Sequence, residues 1–200
     1  MTSRIRVLFF AALGFFVTAR AAPAMGAPAS AAPRATDTAT FAAGCFWGTE
    51  EFFRTVPGVL ETRVGYAGGH TKNPTYDETS TGTTGHAESV EITFDSARVS
   101  YADLVTLFFK MHDPTTLNRQ GNDVGTQYRS AIFFRGEKQR ETALSLMAKV
   151  ERSGAWGAKL TTELAPAGAF YPAEGYHQHY LVKHPGGYDN HYLRNISFGP

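Results

Sequence analysis

The sequence predicts an α+β fold, a sheet with helices packed mainly on one face. Three observations carry this expectation. Strand-like and helix-like segments are interspersed along the chain. The strand-like segments alternate apolar and polar residues instead of running continuously apolar. Of 200 residues, 42% are hydrophobic, 13% aromatic and only 18% charged, which suits one packed core and excludes a disordered chain.

The elements follow in order. Residues 38–43 (TATFAA) read as a short strand running into Gly44-Cys45. Cys45, Thr49, Phe52, Phe53 and Val56 then share one helical face, and Pro57-Gly58 ends the helix. Leu60, Thr62, Val64 and Tyr66 alternate with Val59, Glu61, Arg63 and Gly65, a second strand. Residues 67–85 form a long Gly/Asn/Pro/Thr/Ser loop, of the length that usually carries function. Residues 88–94 (ESVEITF) are a clear strand, with Val90, Ile92 and Phe94 on one side.

Leu104, Leu107, Phe108 and Met111 mark a helix over 100–112, capped by Ser100 and stopped by Asp113-Pro114. A polar loop at 115–125 leads to a strand at about 126–134. A helix over 137–152 follows, with Ala143, Leu146, Met147 and Val150 inward. A short strand at 160–165 and a short helix at 174–183 complete the pattern; the tail after Pro185 has none. There is no internal repeat and no second domain boundary, so residues 38–200 read as one domain.

The beginning of the chain reads differently. Arg4 and Arg6 precede an apolar run, Val7–Val17, and small residues then supply A-x-A-like cleavage sites. This is the pattern of a secretory signal peptide over residues 1–21, with alternative ends at 24 or 27. The run is shorter than the roughly 20 residues of a membrane span, so no stable membrane insertion is expected after cleavage. Residues 22–37 read as an Ala/Pro-rich disordered leader. The protein is therefore expected to be exported, and periplasmic if bacterial. After cleavage, 16 Lys+Arg face 18 Asp+Glu, a formal charge of −2 against +1 for the whole chain. That balance gives no argument for a nucleic-acid partner.

One cysteine excludes an internal disulfide and any multi-cysteine metal centre. Cys45 sits in Gly44-Cys45-Phe46-Trp47-Gly48, where a strand turns into a helix. Free N–H groups there favour a thiolate. Phe46 and Trp47 are placed to wall an apolar slot, and Gly48 allows another segment to come close. The alternative is a small buried hydrophobe among core aromatics. Glu88 shares the parity of Val90, Ile92 and Phe94, which puts a carboxyl on the apolar side at the strand's mouth. Burial there would raise its pKa and keep a proton donor near neutrality; a paired glutamate or an outward bulge fits the pattern equally well. Tyr76 lies in the long loop and Tyr128 is the first large residue of the strand that the Gly121–Gly125 loop enters; each is either a hydrogen-bond donor to a site or loop packing. The seven histidines show no metal spacing and read as surface or structural, so no metal is expected.

These segments together resemble the A-type peptide methionine sulfoxide reductases. The matching stretches are GCFWGTE at 44–50, GYAGG at 65–69, NPTY at 73–76, TGHAESV at 84–90, HDPTT at 112–116 and QGNDVGTQYRSAI at 120–132. TELAP at 162–166 and AEGYHQHYL at 173–181 extend the match. The resemblance implies a two-layer α/β plait with a ferredoxin-like core and long loops. It also implies roles. Cys45 matches the nucleophile and Glu88 the acid that protonates the sulfoxide oxygen. Tyr76 and Tyr128 match the phenols holding that oxygen. Phe46 and Trp47 match the methyl pocket, and Asp123 matches a substrate-positioning carboxylate. The family acts on the S epimer of free and protein-bound methionine sulfoxide.

Many relatives carry resolving cysteines shortly after a C-terminal Gly-Tyr. Here Gly187-Tyr188 is followed by Asp189, and no cysteine follows. A sulfenic acid on Cys45 therefore needs an external thiol, a thioredoxin-like protein or a small thiol, with no bound cofactor. The expected working unit is a monomer. Two rival functions remain open at this level. One is a different cysteine enzyme with His86 as base. The other is a binder of oxidised methionine or a peptide that uses Phe46 and Trp47 and does not need Cys45.

Overall fold

The computed structural model describes residues 35–199. The expected signal peptide and most of the leader lie outside them. The last two leader residues do not behave as a leader. Strand β1 (Thr36–Ala43) includes them, because Thr36 and Asp37 pair with Asp95 and Phe94 of β3 (Ala87–Asp95).

The elements between and after these are α1 (Phe46–Arg54), β2 (Val59–Ala67), α2 (Tyr76–Ser80) and α3 (Tyr101–Met111). A two-stranded ribbon, β4 (Arg119–Gln120) with β5 (Asp123–Val124), precedes a 3-10 turn at Thr126–Tyr128. Strand β6 (Ser130–Phe134), α4 (Gly136–Ser153), β7 (Glu163–Pro166), β8 (Tyr171–Pro172) and α5 (Tyr180–Lys183) follow. The main sheet is mixed, in the order β7-β6-β1-β3-β2-β8. Its pairs are antiparallel except β6 with β7.

Strand parity divides the buried residues between the two faces. Phe41, Val64, Val90, Ile92, Phe94 and Ile132 join residues of α1, α3 and α4 in the large core. Ala42, Ala67, Ala87, Ala131 and Phe133 form a thin second cluster, covered by the loop around Phe170. The helices thus lie on one face, as the alternation predicts. Phe41 is the hub, with ring centres 5.4 Å from Phe53, 5.2 Å from Phe108 and 6.1 Å from Tyr101. The start of α3 is set locally: Ser100 accepts from the Asp103 amide, and Asp103 accepts from the Ser100 amide.

Four details depart from the sequence pattern. The expected strand at 126–134 begins only at Ser130, since the 3-10 turn takes Thr126–Tyr128. The long loop contains α2, started by a Thr75–Glu78 capping box. The expected helix at 174–183 is helical only over Tyr180–Lys183, because Gln178 and the His179 amide bond to other parts of the fold. Leu60 is 39% exposed, because a register shift between Val59 and Glu61 takes it out of the alternation.

His112, which follows α3, is buried and ties three segments. Its Nδ1 donates to Phe108 O at 2.7 Å, which leaves Nε2 to accept from Ser130 Oγ at 2.8 Å. Ser130 Oγ lies 2.8 Å from Thr162 Oγ1. Burial pushes the imidazole pKa down to about 3. The folded state therefore holds fewer protons than the unfolded chain between that value and the ordinary histidine range. This contribution to stability is full above about pH 6.5 and is lost as pH falls toward 3. In urea unfolding between pH 6 and 4, the stability of the wild type should fall more steeply than that of His112→Asn, by about 1.4 kcal/mol per pH unit. Equal slopes would show that His112 does not titrate in this way.

Candidate active site

Strand β1 delivers Gly44 and Cys45 to the start of α1. Gly44 turns the chain at φ +96°, and a side chain there would run into Gln120. Cys45 is the N-cap, with φ −54° and ψ 124°, and its carbonyl accepts the first helical bond from Thr49 N at 3.3 Å. Its side chain caps nothing and faces a cavity.

Glu88 reaches the same cavity from β3. It is 3% exposed, and Val90, Ile92 and Phe94 on the same side are fully buried, so the parity argument holds. Its Oε2 accepts from Phe46 N at 3.0 Å, which fixes the carboxyl against the amide next to the thiol. Burial pushes the carboxyl pKa up to about 8, against the pull of that N–H, and the Asp123 charge adds to the rise. Glu88 therefore carries its proton at neutral pH.

Cys45 corrects the expectation that a helix start lowers a thiol pKa. The N–H groups of Trp47 and Gly48 do act in that direction. Burial, followed by the charge of Glu88, outweighs them and raises the thiol above its ordinary value. Part of that rise needs an ionised Glu88 and disappears when Glu88 is protonated.

Tyr76, at the start of α2, and Tyr128, at the end of the 3-10 turn, also line the cavity. Burial and then the Glu88 charge raise both phenols, so both keep their protons. Asp123 enters from β5 and accepts from Tyr188 Oη and Asn190 Nδ2, each at 3.1 Å. Phe46 and Trp47 complete the walls. All seven residues singled out in the sequence line one cavity of about 170 Å³, with Tyr188 as the eighth. A larger hollow of about 290 Å³ near Tyr101 and Lys138 contains no thiol.

Several supporting residues were not read from the sequence. The Trp47 indole stacks on Tyr180, with centres 3.7 Å apart and 9° between planes. Its Nε1 donates to His177 Nδ1 at 3.0 Å. His177 is buried among Phe46, Tyr76 and Tyr176, and burial lowers its pKa, so the neutral ring can accept that bond. Glu50 accepts from the His179 amide at 2.7 Å, and Glu174 accepts from Tyr76 N at 2.9 Å and Tyr66 Oη at 2.8 Å. The density of aromatics and histidines in 173–181 was the available signal; spacing alone could not say what they touch. Tyr188 gave no signal, because it lies in an irregular tail.

His86, the base of the rival cysteine enzyme, is engaged elsewhere. Its Nδ1 accepts from Gly69 N at 3.1 Å and its Nε2 lies 2.8 Å from Thr71 O, so the ring holds the long loop.

A family profile described as "Peptide methionine sulfoxide reductase" matches residues 37–197. The chain is 56% identical over 149 residues to peptide methionine sulfoxide reductase MsrA of Methanothermobacter thermautotrophicus, covering 74% of this chain and 88% of the relative. It is similar to the solved methionine sulfoxide reductase A of Corynebacterium diphtheriae, with 45% identity, a TM-score of 0.72 and 81% of each chain covered. It also resembles Mxr1 of Saccharomyces cerevisiae in reduced form, with 37% identity, a TM-score of 0.75, and 80% of this chain and 92% of that one covered. Mxr1 in complex with Trx2 matches at 26% identity and a TM-score of 0.54, over 80% of this chain and 90% of that one. With a thiol and a protonated carboxyl in one aromatic cavity, and with these likenesses spanning the domain, the chain belongs to the peptide methionine sulfoxide reductase family, in its MsrA branch, and is an oxidoreductase that reduces methionine sulfoxide.

Proposed function

We propose that Cys45 reduces the S epimer of free and protein-bound methionine sulfoxide, with Glu88 as the acid. The observation that carries this reading is the hydrogen bond from Phe46 N to Glu88 Oε2, which sets a protonated carboxyl in the same cavity as the thiol. Phe46 and Trp47 receive the S-methyl group. Tyr76 and Tyr128 donate to the sulfoxide oxygen, and Asp123 positions the rest of the substrate.

The step balances without a cofactor. Cys45 sulfur attacks the sulfoxide sulfur as Glu88 gives its proton to the oxygen, which is a poor leaving group until protonated. While Glu88 is neutral, the N–H groups of Trp47 and Gly48 favour the thiolate against burial and the Asp123 charge, with the Glu88 carboxylate no longer adding to that opposition. The S–S bond formed by that attack and the substrate S–O bond both break as the oxygen passes to Cys45 sulfur, which releases the thioether. The substrate sulfur gains two electrons, and Cys45 becomes a sulfenic acid. The proton lost by the thiol restores Glu88.

With one cysteine in the chain, the second half of the cycle falls to external thiols. One thiol attacks the sulfenic acid and releases water; a second frees Cys45 from the mixed disulfide. We assign this role to a thioredoxin-like protein or a small thiol, a reading supported by the likeness to Mxr1, which is solved with Trx2. The segment 1–21 supports export of a monomer that repairs oxidised methionine outside the cytoplasm. For the fold, the order β6-β1-β3-β2, with α1 and α3 as crossovers, supports the plait with a ferredoxin-like core.

Incubation with each epimer of methionine sulfoxide and dithiothreitol should give turnover of the S epimer only, and none with Cys45→Ser. Activity that survives this substitution would sink the nucleophile assignment. One turnover without reductant should leave one sulfenic acid per chain, detectable with a sulfenic-acid probe; substrate reduced with no probe adduct would refute the recycling scheme. Glu88→Gln should lower turnover by roughly 10²- to 10⁴-fold. The same substitution should stabilise the fold at alkaline pH. The folded Glu88 binds its proton more tightly than the unfolded chain does, so its contribution to stability is full below about pH 4.5 and is lost as pH rises through about 8. Melting temperatures should therefore favour Glu88→Gln over wild type increasingly from pH 5 to pH 8.5. A constant difference would mean that Glu88 does not hold its proton.

A further inference from the structure

The tail after α5 has no regular structure, yet it supplies a wall of the active-site cavity through Tyr188. Three residues later it is fastened to the start of α1. His191 has a buried side chain, and its Nε2 lies 2.7 Å from Ala43 O and 3.3 Å from Thr49 Oγ1. A carbonyl can only accept, so Nε2 carries the hydrogen of the shorter contact. Asp189 Oδ1 accepts from the His191 amide at 2.8 Å and lies 3.2 Å from His191 Nδ1. Asp189 and His191 sit directly over Gly48, where a Cβ would collide with Asp189 Oδ1 and His191 Nδ1. Gly48 is thus the seat in which the tail rests.

What this fastening holds in place is visible on the other side of the loop. Asn190 Nδ2 lies 3.0 Å from Gln120 O and 3.1 Å from Asp123 Oδ2, and Tyr188 Oη donates to the same Asp123 oxygen at 3.1 Å. Tyr188 is 41% exposed, so packing alone does not fix it. Both donors to Asp123 therefore depend on where residues 189–191 are anchored.

We propose that Asp189 and His191 form a clasp, seated on Gly48, that positions Tyr188 and Asn190 on Asp123 and so shapes the substrate side of the cavity. They are positioning residues: neither lines the cavity, and each acts through the tail. The clasp rests on the reductase reading of the same cavity.

The test is a split between KM and kcat. Asp189→Ala and His191→Ala should raise KM for methionine sulfoxide roughly tenfold, the ratio expected from weakening one hydrogen bond to a charged group, with kcat held within about twofold. Gly48→Ala should raise KM likewise although alanine favours a helix, because its methyl group takes the seat of the tail. Asp189→Asn keeps the acceptor oxygen for the His191 amide and should recover most of the wild-type KM. Hydrogen exchange at the His191 amide should quicken in Asp189→Ala and Gly48→Ala. An unchanged KM in all three disrupting variants, a loss confined to kcat, or unchanged exchange would overturn the clasp. A wild type that turns over no methionine sulfoxide would overturn the reductase reading instead, and the exchange measurement would then decide the clasp alone.

Discussion

The hydrogen bond from Phe46 N to Glu88 Oε2 sets the carboxyl in the same cavity as the Cys45 thiol. Burial has opposite value for them. It keeps the proton on Glu88, as an acid needs, and it also keeps the proton on Cys45, which a nucleophile must lose. The helix start supplies a partial answer through the Trp47 and Gly48 amides. A neutral Glu88 then removes one further force holding the thiol proton, while burial and the Asp123 charge remain. The Glu88 carboxyl and the Cys45 thiol are thus one coupled pair, with the amide of Phe46 between them.

Among the described residues, no lysine, arginine or histidine lines the cavity that holds this pair. Glu50 and Glu174 could have been ion-pair partners, but they mainly accept backbone amides and hydroxyls. Burial pushes Glu50 up, with His179 and its amide pulling the other way. Glu174 feels the same upward push from burial, but the amides and the Tyr66 hydroxyl bring it below its ordinary value. Through these bonds the segment carrying His177 and Tyr180 is pinned against α1 and α2, and the Trp47 ring is fixed by stacking and by its N–H. An irregular segment with few apolar contacts can be held firmly this way because each bond is made to a rigid element.

Much of this was legible in the chain, for physical reasons that differ between elements. The period-2 alternation around Val90 is strict because one face of β3 is buried, and it carried Glu88 to the correct side. The capping residues Ser100 and Asp103 located α3 because the cap is a local bond. Leu60 was misplaced because a register shift leaves no mark in an apolar pattern. Tyr128 was assigned to a strand because three residues of 3-10 turn have no period of their own. His177 and His191 were passed over because a histidine says nothing about burial until its neighbours are known.

The sequence by itself determined the local elements, the face on which Glu88 lies, and the presence of one cysteine. It also determined the family, because ordered motifs across the domain are a property of the chain alone. Only the tertiary structure decided the balance of charge at the site. A helix start predicts a thiolate, and burial beside Glu88 reverses that, because desolvation depends on every segment that closes the cavity. Only the tertiary structure, too, brought a patternless tail back over Gly48. Contacts between residues 140 positions apart follow no sequence period, and they are set by which surfaces remain to be covered once the sheet and helices have packed.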